Sequence, residues 1–396
     1  MKNSQTTQKF SIPCNWDMKL FEINTFLDSF EFYGKDPNDF FGGGRADITL
    51  LKASKKQVSS FLKKCQSKKI NFNYLFNHYC ASGLQFSKKG VRFILDKCDY
   101  LLDSGVSSLT VSDPYLAKLI KKNYPDLKIN ASVFCRIETL EKAKYWQELG
   151  ASRITLFSNN ILRNKERLGS IVKNISIPLQ LIVNNCCLYH CVNTDQHANL
   201  ESHSSGKVRE STYLNYYTFD CRYSRLLAPH LIIKSNFIRP EDLKTYQDLG
   251  IHHFKITDRT LSPDKIIKIT KAYADNAYPG NLSELMPIFT GSDSKNRKFS
   301  LNKILYFFKP FKYNVYKLYQ FLKSAPYPVP YINNEKLNGY LEKIFKVNCE
   351  TTDCDQCLIC KKIADEAILI DRHDLELIKD HKLKLENLFV RGDLFK

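Results

Sequence analysis

The chain has 396 residues, 43% of them hydrophobic, and 59 basic against 41 acidic side chains, for a formal net charge of +18. That apolar share supports a sizeable core and excludes wholesale disorder, and the length allows two or three domains or one large barrel with an appendage. The positive charge favours polyanionic partners such as RNA or an anionic membrane surface, although an AT-biased genome rich in Lys and Asn codons gives the same balance.

Thirteen cysteines are too sparse for a disulfide scaffold, and the number is odd. Met1 to Phe10 is polar, without the apolar core of a signal peptide, and no apolar run approaches the ~20 residues of a membrane-spanning helix. Together these point to a reducing cytoplasm, where clustered cysteines bind metals rather than each other.

From residue 28 to about 275, strand-like runs alternate with helix-like ones. The strand candidates are Ser29–Tyr33, Ile70–Asn77, Ser107–Asp113, Lys128–Cys135, Ser152–Ser158, Pro178–Asn185, His230–Asn236 and His252–Thr257. They are rich in Val, Ile, Leu and Phe, as strands buried on both faces should be. Between them lie amphipathic stripes, Val58, Phe61, Leu62 and Cys65 in one, Val91, Ile94, Leu95, Cys98, Leu101 and Leu102 in another. Gly105, Gly150 and Gly250 each stand where a helix ends and a strand begins. The pattern predicts an α/β fold, a (β/α)8 TIM-type barrel over 1–275, with a doubly wound sheet as the competing architecture.

Barrel enzymes work at the C-terminal ends of their strands. Read in order, those ends carry Tyr33, Asn77 with Cys80, Asp113, Cys135 with Arg136, Ser158 with Asn159, Asn184 with Asn185, Asn236 with Arg239, and Lys255 with Arg259. Residues 186–229 read as a long polar connection with His190, His197 and His203 and no clear helical stripe. Loops of that length in a compact domain are usually functional or disordered, and thiols at its base favour function.

Residues 276–330 read as a connecting segment. Within it, 294–323 hold eight Lys or Arg, no acid and nine aromatics, among them Phe307, Phe308, Phe311, Tyr316 and Tyr319. Such a stretch suits stacking on exposed bases, lying on an anionic bilayer, or simply an amphipathic helix with a solvated Lys face. Pro326, Pro328 and Pro330 then lead to a small module over 331–396.

The cysteines separate by context. Cys349, Cys354, Cys357 and Cys360 follow C-x4-C-x2-C-x2-C, four soft ligands that suit an iron–sulfur cluster or a structural Zn2+. Cys187, Cys191 and Cys221 follow C-x3-C-x29-C, with Cys186 adjacent. Cys80, after the second candidate strand and so on the same face, is one candidate for the fourth ligand and Cys186 the other, although adjacent residues rarely point both thiols inward. Cys65 and Cys98 sit on apolar stripes and read as core residues, as does Cys135.

The segments Ile12-Pro13-Cys14-Asn15-Trp16, Gly43-Gly44-Arg45 and Asn73-Tyr74-Leu75-Phe76-Asn77, the cysteine loop with His197 and Asn199, Phe237-Ile238-Arg239-Pro240-Glu241-Asp242-Leu243, Phe254-Lys255-Ile256 with Arg259, and Gly280-Asn281-Leu282 resemble the collagenase-like peptidase family U-32. The resemblance spans roughly residues 10–290. It implies a barrel and, in some branches, a [4Fe-4S] cluster on four cysteines, with oxygen-independent hydroxylation of ubiquinone precursors, a tRNA uridine or an rRNA cytidine and prephenate as oxygen donor. Some relatives act with a related partner subunit.

On that basis Cys80, Cys187, Cys191 and Cys221 are expected to hold the cluster, beside Asn77, Asn184 and His197. Arg239, Lys255 and Arg259 are expected to clamp carboxylates, since guanidinium forks match them in pairs. The substrate is an RNA base, a quinone precursor or a small metabolite. The competing readings are a metal-dependent peptidase, against which the thiol-rich ligand set and the lack of an H-E-x-x-H motif argue, and an RNA-binding scaffold with structural metals.

Overall fold

The computed structural model describes residues 8–37, 39–206, 212–290 and 305–396. Eight short parallel strands, β1 (Lys9–Pro13), β2 (Phe30–Gly34), β3 (Asn71–Phe76), β4 (Ser108–Val111), β5 (Lys128–Ala131), β6 (Arg153–Thr155), β7 (Leu179–Ile182) and β8 (His253–Lys255), close into a barrel in chain order. Closure comes from β1, which pairs with β2 through Phe10↔Phe30 and with β8 through Phe10↔Phe254. The barrel belongs to a unit made of the described residues of Met1–Asn185, Thr194–Ser211 and Asn236–Tyr278.

The predicted barrel is thus present, with two corrections to its strands. The first strand, Lys9–Pro13, precedes the expected set. His230–Asn236 is not a strand: His230–Ile233 is a helical turn, with Ile232 N–H bonded to Pro229 O at 2.9 Å. An apolar run of three, Leu231 to Ile233, carries no period that separates strand from helix. Burial of Ile232 and Ile233 satisfies either reading.

The helices follow their stripes. In α1 (Lys55–Ser67) the predicted Val58, Phe61, Leu62 and Cys65 are buried, and Ser54 and Gln57 form a reciprocal capping box. In α2 (Lys88–Asp103) the buried line is Ile94, Cys98 and Leu101, while Leu102 is exposed. The chain leaves α2, α3 (Leu140–Glu148) and α4 (Leu243–Asp248) through Gly105, Gly150 and Gly250 at φ +76°, +86° and +101°, values a Cβ disfavours.

The two faces of the strands differ more than the sequence reading allowed. Phe10, Ile12, Phe32, Phe72, Leu109, Ile129, Ile154, Leu181 and Phe254 are buried apolar positions. The alternate positions are polar and bond laterally. Ser11 donates to Glu31 at 2.6 Å, Gln180 to Ser11 at 2.8 Å, Thr155 to Gln180 at 3.1 Å and Thr110 to Asn73 at 2.9 Å. Arg153 on β6 pairs with Glu31 on β2. Those strands are not neighbours, so the bond crosses the barrel interior. Burial alone would raise the Glu31 pKa; Arg153, Ser11 and Asn73 outweigh it and hold the carboxyl low.

The second unit comprises the described residues of Cys186–Asn193, Thr212–Ser235 and Pro279–Lys396. It carries a two-stranded antiparallel ribbon, β9 (Tyr331–Ile332) with β10 (Ile368–Leu369), and a helical core. Within that core Tyr223 Oη lies 3.1 Å from His381 Nδ1, and His381 Nε2 lies 3.1 Å from Ser324 Oγ.

The connection expected to lack a helical stripe contains α5 (Thr194–His203) and α6 (Tyr216–Leu227). In α6 the buried face is Phe219, Arg222, Tyr223, Arg225 and Leu226, and two arginines in that line hide the period from a hydrophobicity reading. Residues 294–304 of the basic, aromatic stretch lie outside the described residues. Its remainder holds α7 (Val315–Ser324), which buries Leu318 and Phe321 and exposes Tyr316 and Tyr319. Among the described residues no helix is long and apolar enough to cross a membrane.

Candidate functional site

In the barrel unit, cations gather where the strands end. Lys255 closes β8, is 7% exposed, and holds Nζ 4.0 Å from the centroid of the Tyr33 ring at the end of β2. The Tyr33 hydroxyl donates to Ile256 O at 2.8 Å. Arg259, four residues on, is equally buried. Among the described residues neither cation has a carboxylate within ion-pair distance. Burial pushes the Lys255 pKa down to about 7, with Arg153 and Arg259 adding repulsion and Glu31 opposing it. Burial also lowers that of Arg259. Buried charges are ordinarily paired, so two without a close counter-ion form a place for an anion.

The surrounding loops are tied down. Asn184, just past β7, accepts from Thr257 N at 2.7 Å and Thr257 Oγ1 at 3.1 Å and donates back to Thr257 O. That grip fixes the backbone leading to Asp258 and Arg259. Arg45 Nε pairs with Asp258 Oδ2 at 2.8 Å. The loop carrying Arg45 is held against α5: Gly43 N donates to Ser205 Oγ at 2.8 Å and Ala46 N to the Glu201 carboxylate. A Cβ on Gly42 would come within 2.0 Å of Ser202 O, so only glycine permits this approach.

The other expected residues are placed as follows. Asn77 is buried, donates to Ser132 Oγ at 3.4 Å, and leaves Oδ1 without a partner among the described residues. His197 lies on α5 with Nε2 3.5 Å from Glu201 Oε1. Arg239 spends its fork on Asp242, with Nε–Oδ2 and Nη2–Oδ1 both 2.8 Å. The sequence reading did not single out Arg45 and Asp258 for the site. Only the Gly-Gly-Arg segment hinted at the first.

The thiols divide between the units. Cys80 is in the barrel unit after β3, where its sulfur accepts from Ser82 N at 3.4 Å. Cys186, Cys187, Cys191 and Cys221 belong to the second unit. There the loop 186–191 is pinned by Tyr189 N–H to Lys234 O at 3.2 Å and by a bridge from Leu188 to Ser235. Cys221 on α6 feels the charges of Cys187 and Cys191. Burial pushes its pKa up to about 11, while Arg225 pulls the other way.

Cys349, Cys354, Cys357 and Cys360 flank two short turns, Cys354–Cys357 and the start of Ile359–Ala367. Lys234 Nζ lies 3.2 Å from Cys354 Sγ. Among the described residues, no three His, Cys, Asp or Glu side chains are arranged to hold a single metal ion. A cluster spaces its thiolates more widely, because inorganic sulfide occupies the middle. The fit therefore rests on donor chemistry: soft thiols on one loop and one helix, beside a buried guanidinium.

Comparison with known proteins follows the same lines. Residues 56–278 match Peptidase family U32. The chain is 31% identical over 354 residues to an uncharacterized protease of Methanocaldococcus jannaschii, covering 89% of this chain and 93% of that protein. A 79-residue stretch, 20% of this chain and 17% of the relative, is 27% identical to tRNA hydroxylation protein P of Escherichia coli. A solved U32 peptidase structure superposes with a TM-score of 0.46 at 20% identity, covering 65% of this chain and 95% of the other. With more than half of its length matched by the family and a full-length relative at this identity, the chain belongs to Peptidase family U32.

Proposed function

We propose that this chain is an iron–sulfur enzyme that carries out oxygen-independent hydroxylation or related redox chemistry on an anionic or nucleic-acid substrate. The observation that carries the reading is the grouping of Cys187, Cys191 and Cys221 in one unit beside the buried Arg225. These three thiolates would supply three of the four protein ligands of a [4Fe-4S] cluster. Bound there, it would supply electron transfer or Lewis acidity. Cys349, Cys354, Cys357 and Cys360 would hold a second cluster or, drawn closer together than they stand here, a Zn2+.

The chain's own residues bind and orient. Lys255 and Arg259 neutralise carboxylates of a small dianionic co-substrate such as prephenate, because an anion relieves the cost of burying them. Arg45, braced by Asp258, borders the same end of the barrel. Asn184 keeps the Thr257–Arg259 turn in register, and Asn77 offers a buried amide oxygen to a donor on the substrate. The likeness of a 79-residue stretch to tRNA hydroxylation protein P of Escherichia coli supports an RNA base as substrate; a quinone precursor or small metabolite fits the same cations. Arg239 supports its turn rather than a substrate, given its bond to Asp242.

Anaerobic purification with iron and acid-labile sulfide assay tests this. About four of each per chain are expected at the first site, lost in Cys187→Ala, Cys191→Ala and Cys221→Ala. Stoichiometric zinc with salt-dependent RNA binding would replace the enzyme with a scaffold, and metal-dependent peptide cleavage would return it to a peptidase.

A further inference from the structure

Arg225 is 1% exposed, in the middle of α6, and it has no carboxylate within ion-pair distance among the described residues. Its fork is fully directed nonetheless. Nη1 lies 2.7 Å from Cys221 Sγ one turn back on the same helix, Nε donates to Ser235 Oγ at 3.1 Å, and Nη2 donates to the carbonyl of Cys186. One guanidinium thus touches a cysteine sulfur, the backbone at the base of the thiol loop and the strip against which that loop is pinned. Arginine stays protonated in proteins, and a buried cation without a counter-ion is costly. Structural arginines inside a helical core ordinarily find a carboxylate, as Arg239 does with Asp242. Here the only soft, charge-bearing partner is sulfur.

We propose that Arg225 is the positioning residue of the thiol site. It sets the Cys221 sulfur and the Cys186–Cys191 loop in one arrangement, and its positive charge favours the reduced state of a cluster held there. This rests on the iron–sulfur reading above. A hydrogen-bonded cation beside a ligand sulfur withdraws electron density from it and stabilises the form carrying one more negative charge. Arg225 itself exchanges no electron and no proton. When the cluster is reduced, the electron comes from the external reductant.

The test is an EPR-monitored redox titration of the anaerobically purified full chain with dithionite, comparing wild type, Arg225→Gln and Arg225→Lys. Cys221→Ala, which has no ligating atom at that position, identifies the signal to follow. Any signal that Cys221→Ala leaves unchanged belongs to the other cysteine set and serves as an internal reference that Arg225 variants leave unmoved.

Arg225→Gln keeps a donor and removes the charge. It is expected to shift the reduction equilibrium at least tenfold toward the oxidised form, 59 mV for one electron, with Arg225→Lys between it and wild type. Loss of iron from Arg225→Gln at an unchanged melting temperature supports the positioning role equally. A cluster retained at the wild-type potential in Arg225→Gln overturns the assignment while leaving the iron–sulfur reading intact, and so does a variant that melts early with a normal potential. No iron or sulfide in wild type overturns the parent reading, and the assignment with it.

Discussion

Lys255 and Tyr33 stand face to face across the closed end of the sheet, ammonium 4.0 Å from ring centroid, at positions that share no backbone pairing. The ring face offers the cation partial compensation, as does the charge of Glu31, and an anionic ligand would add to both. The pKa of about 7 gives this a pH signature. Below pH 7 the ammonium is charged and anion-ready; above it the charge is lost. Binding of a dicarboxylate such as prephenate, measured by calorimetry, is expected to weaken toward tenfold per pH unit between pH 7.5 and 9, with that slope absent in Lys255→Met. Stability runs the other way. The folded-state pKa is depressed, so the charge costs stability at pH 6 and the cost shrinks as pH rises toward the unfolded value near 10.4. Lys255→Met should melt above wild type at pH 6, and the gap should narrow at pH 9.

The Glu31–Arg153 bond across the barrel predicts an acid-sensitive core. Glu31 is held below its ordinary range, so its contribution is complete above the unfolded carboxyl pKa and is lost as pH falls through the folded value. Glu31→Gln leaves Arg153 buried and uncompensated. It is expected to cost about 3–5 kcal/mol in urea unfolding at pH 7, and to flatten the acid limb of melting temperature against pH.

Gly42 and Gly169 make a matched pair. A Cβ on Gly42 meets the Ser202 carbonyl at 2.0 Å, whereas one on Gly169 meets nothing within 4 Å. Gly42→Ala should destabilise by about 1–3 kcal/mol and weaken anion binding by moving the loop that carries Arg45. Gly169→Ala, inside the helix Lys165–Asn174, should stabilise by roughly 0.5–1 kcal/mol. Chemical denaturation of both variants checks the contrast.

Arg239 and Asp242 predict a structural role for a residue whose charge suggests binding. Asp242→Ala removes the carboxylate bonded to both Nε and Nη2 of a buried guanidinium, for an expected loss of about 3–5 kcal/mol. Replacing both residues with apolar ones should recover much of it, with anion affinity close to wild type. If the double variant folds but loses affinity tenfold or more, Arg239 belongs to the binding site after all.

The barrel was legible because short runs rich in Val, Ile, Leu and Phe alternate with amphipathic helical stripes along the chain. Val58, Phe61, Leu62 and Cys65 sit where the stripe put them, and the three helix-ending glycines have the positive φ their positions imply. What failed was short or mixed. His230–Asn236 read as a strand and His230–Ile233 is helical, since the three apolar residues Leu231, Ile232 and Ile233 hold no period. The first strand went unread because Lys9–Pro13 is brief and ends in proline. Helix α6 was hidden by Arg222 and Arg225 on its buried face.

Sequence by itself determined the parallel barrel and the family, because those follow from local spacing and composition. Only tertiary structure decided which charges are engaged: Arg239 by Asp242, Arg45 by Asp258, Arg225 by a sulfur, and Lys255 and Arg259 by no nearby carboxylate among the described residues. A charge's partner lies wherever the fold brings an opposite charge within a few ångströms, and that distance has no counterpart in the order of residues along the chain.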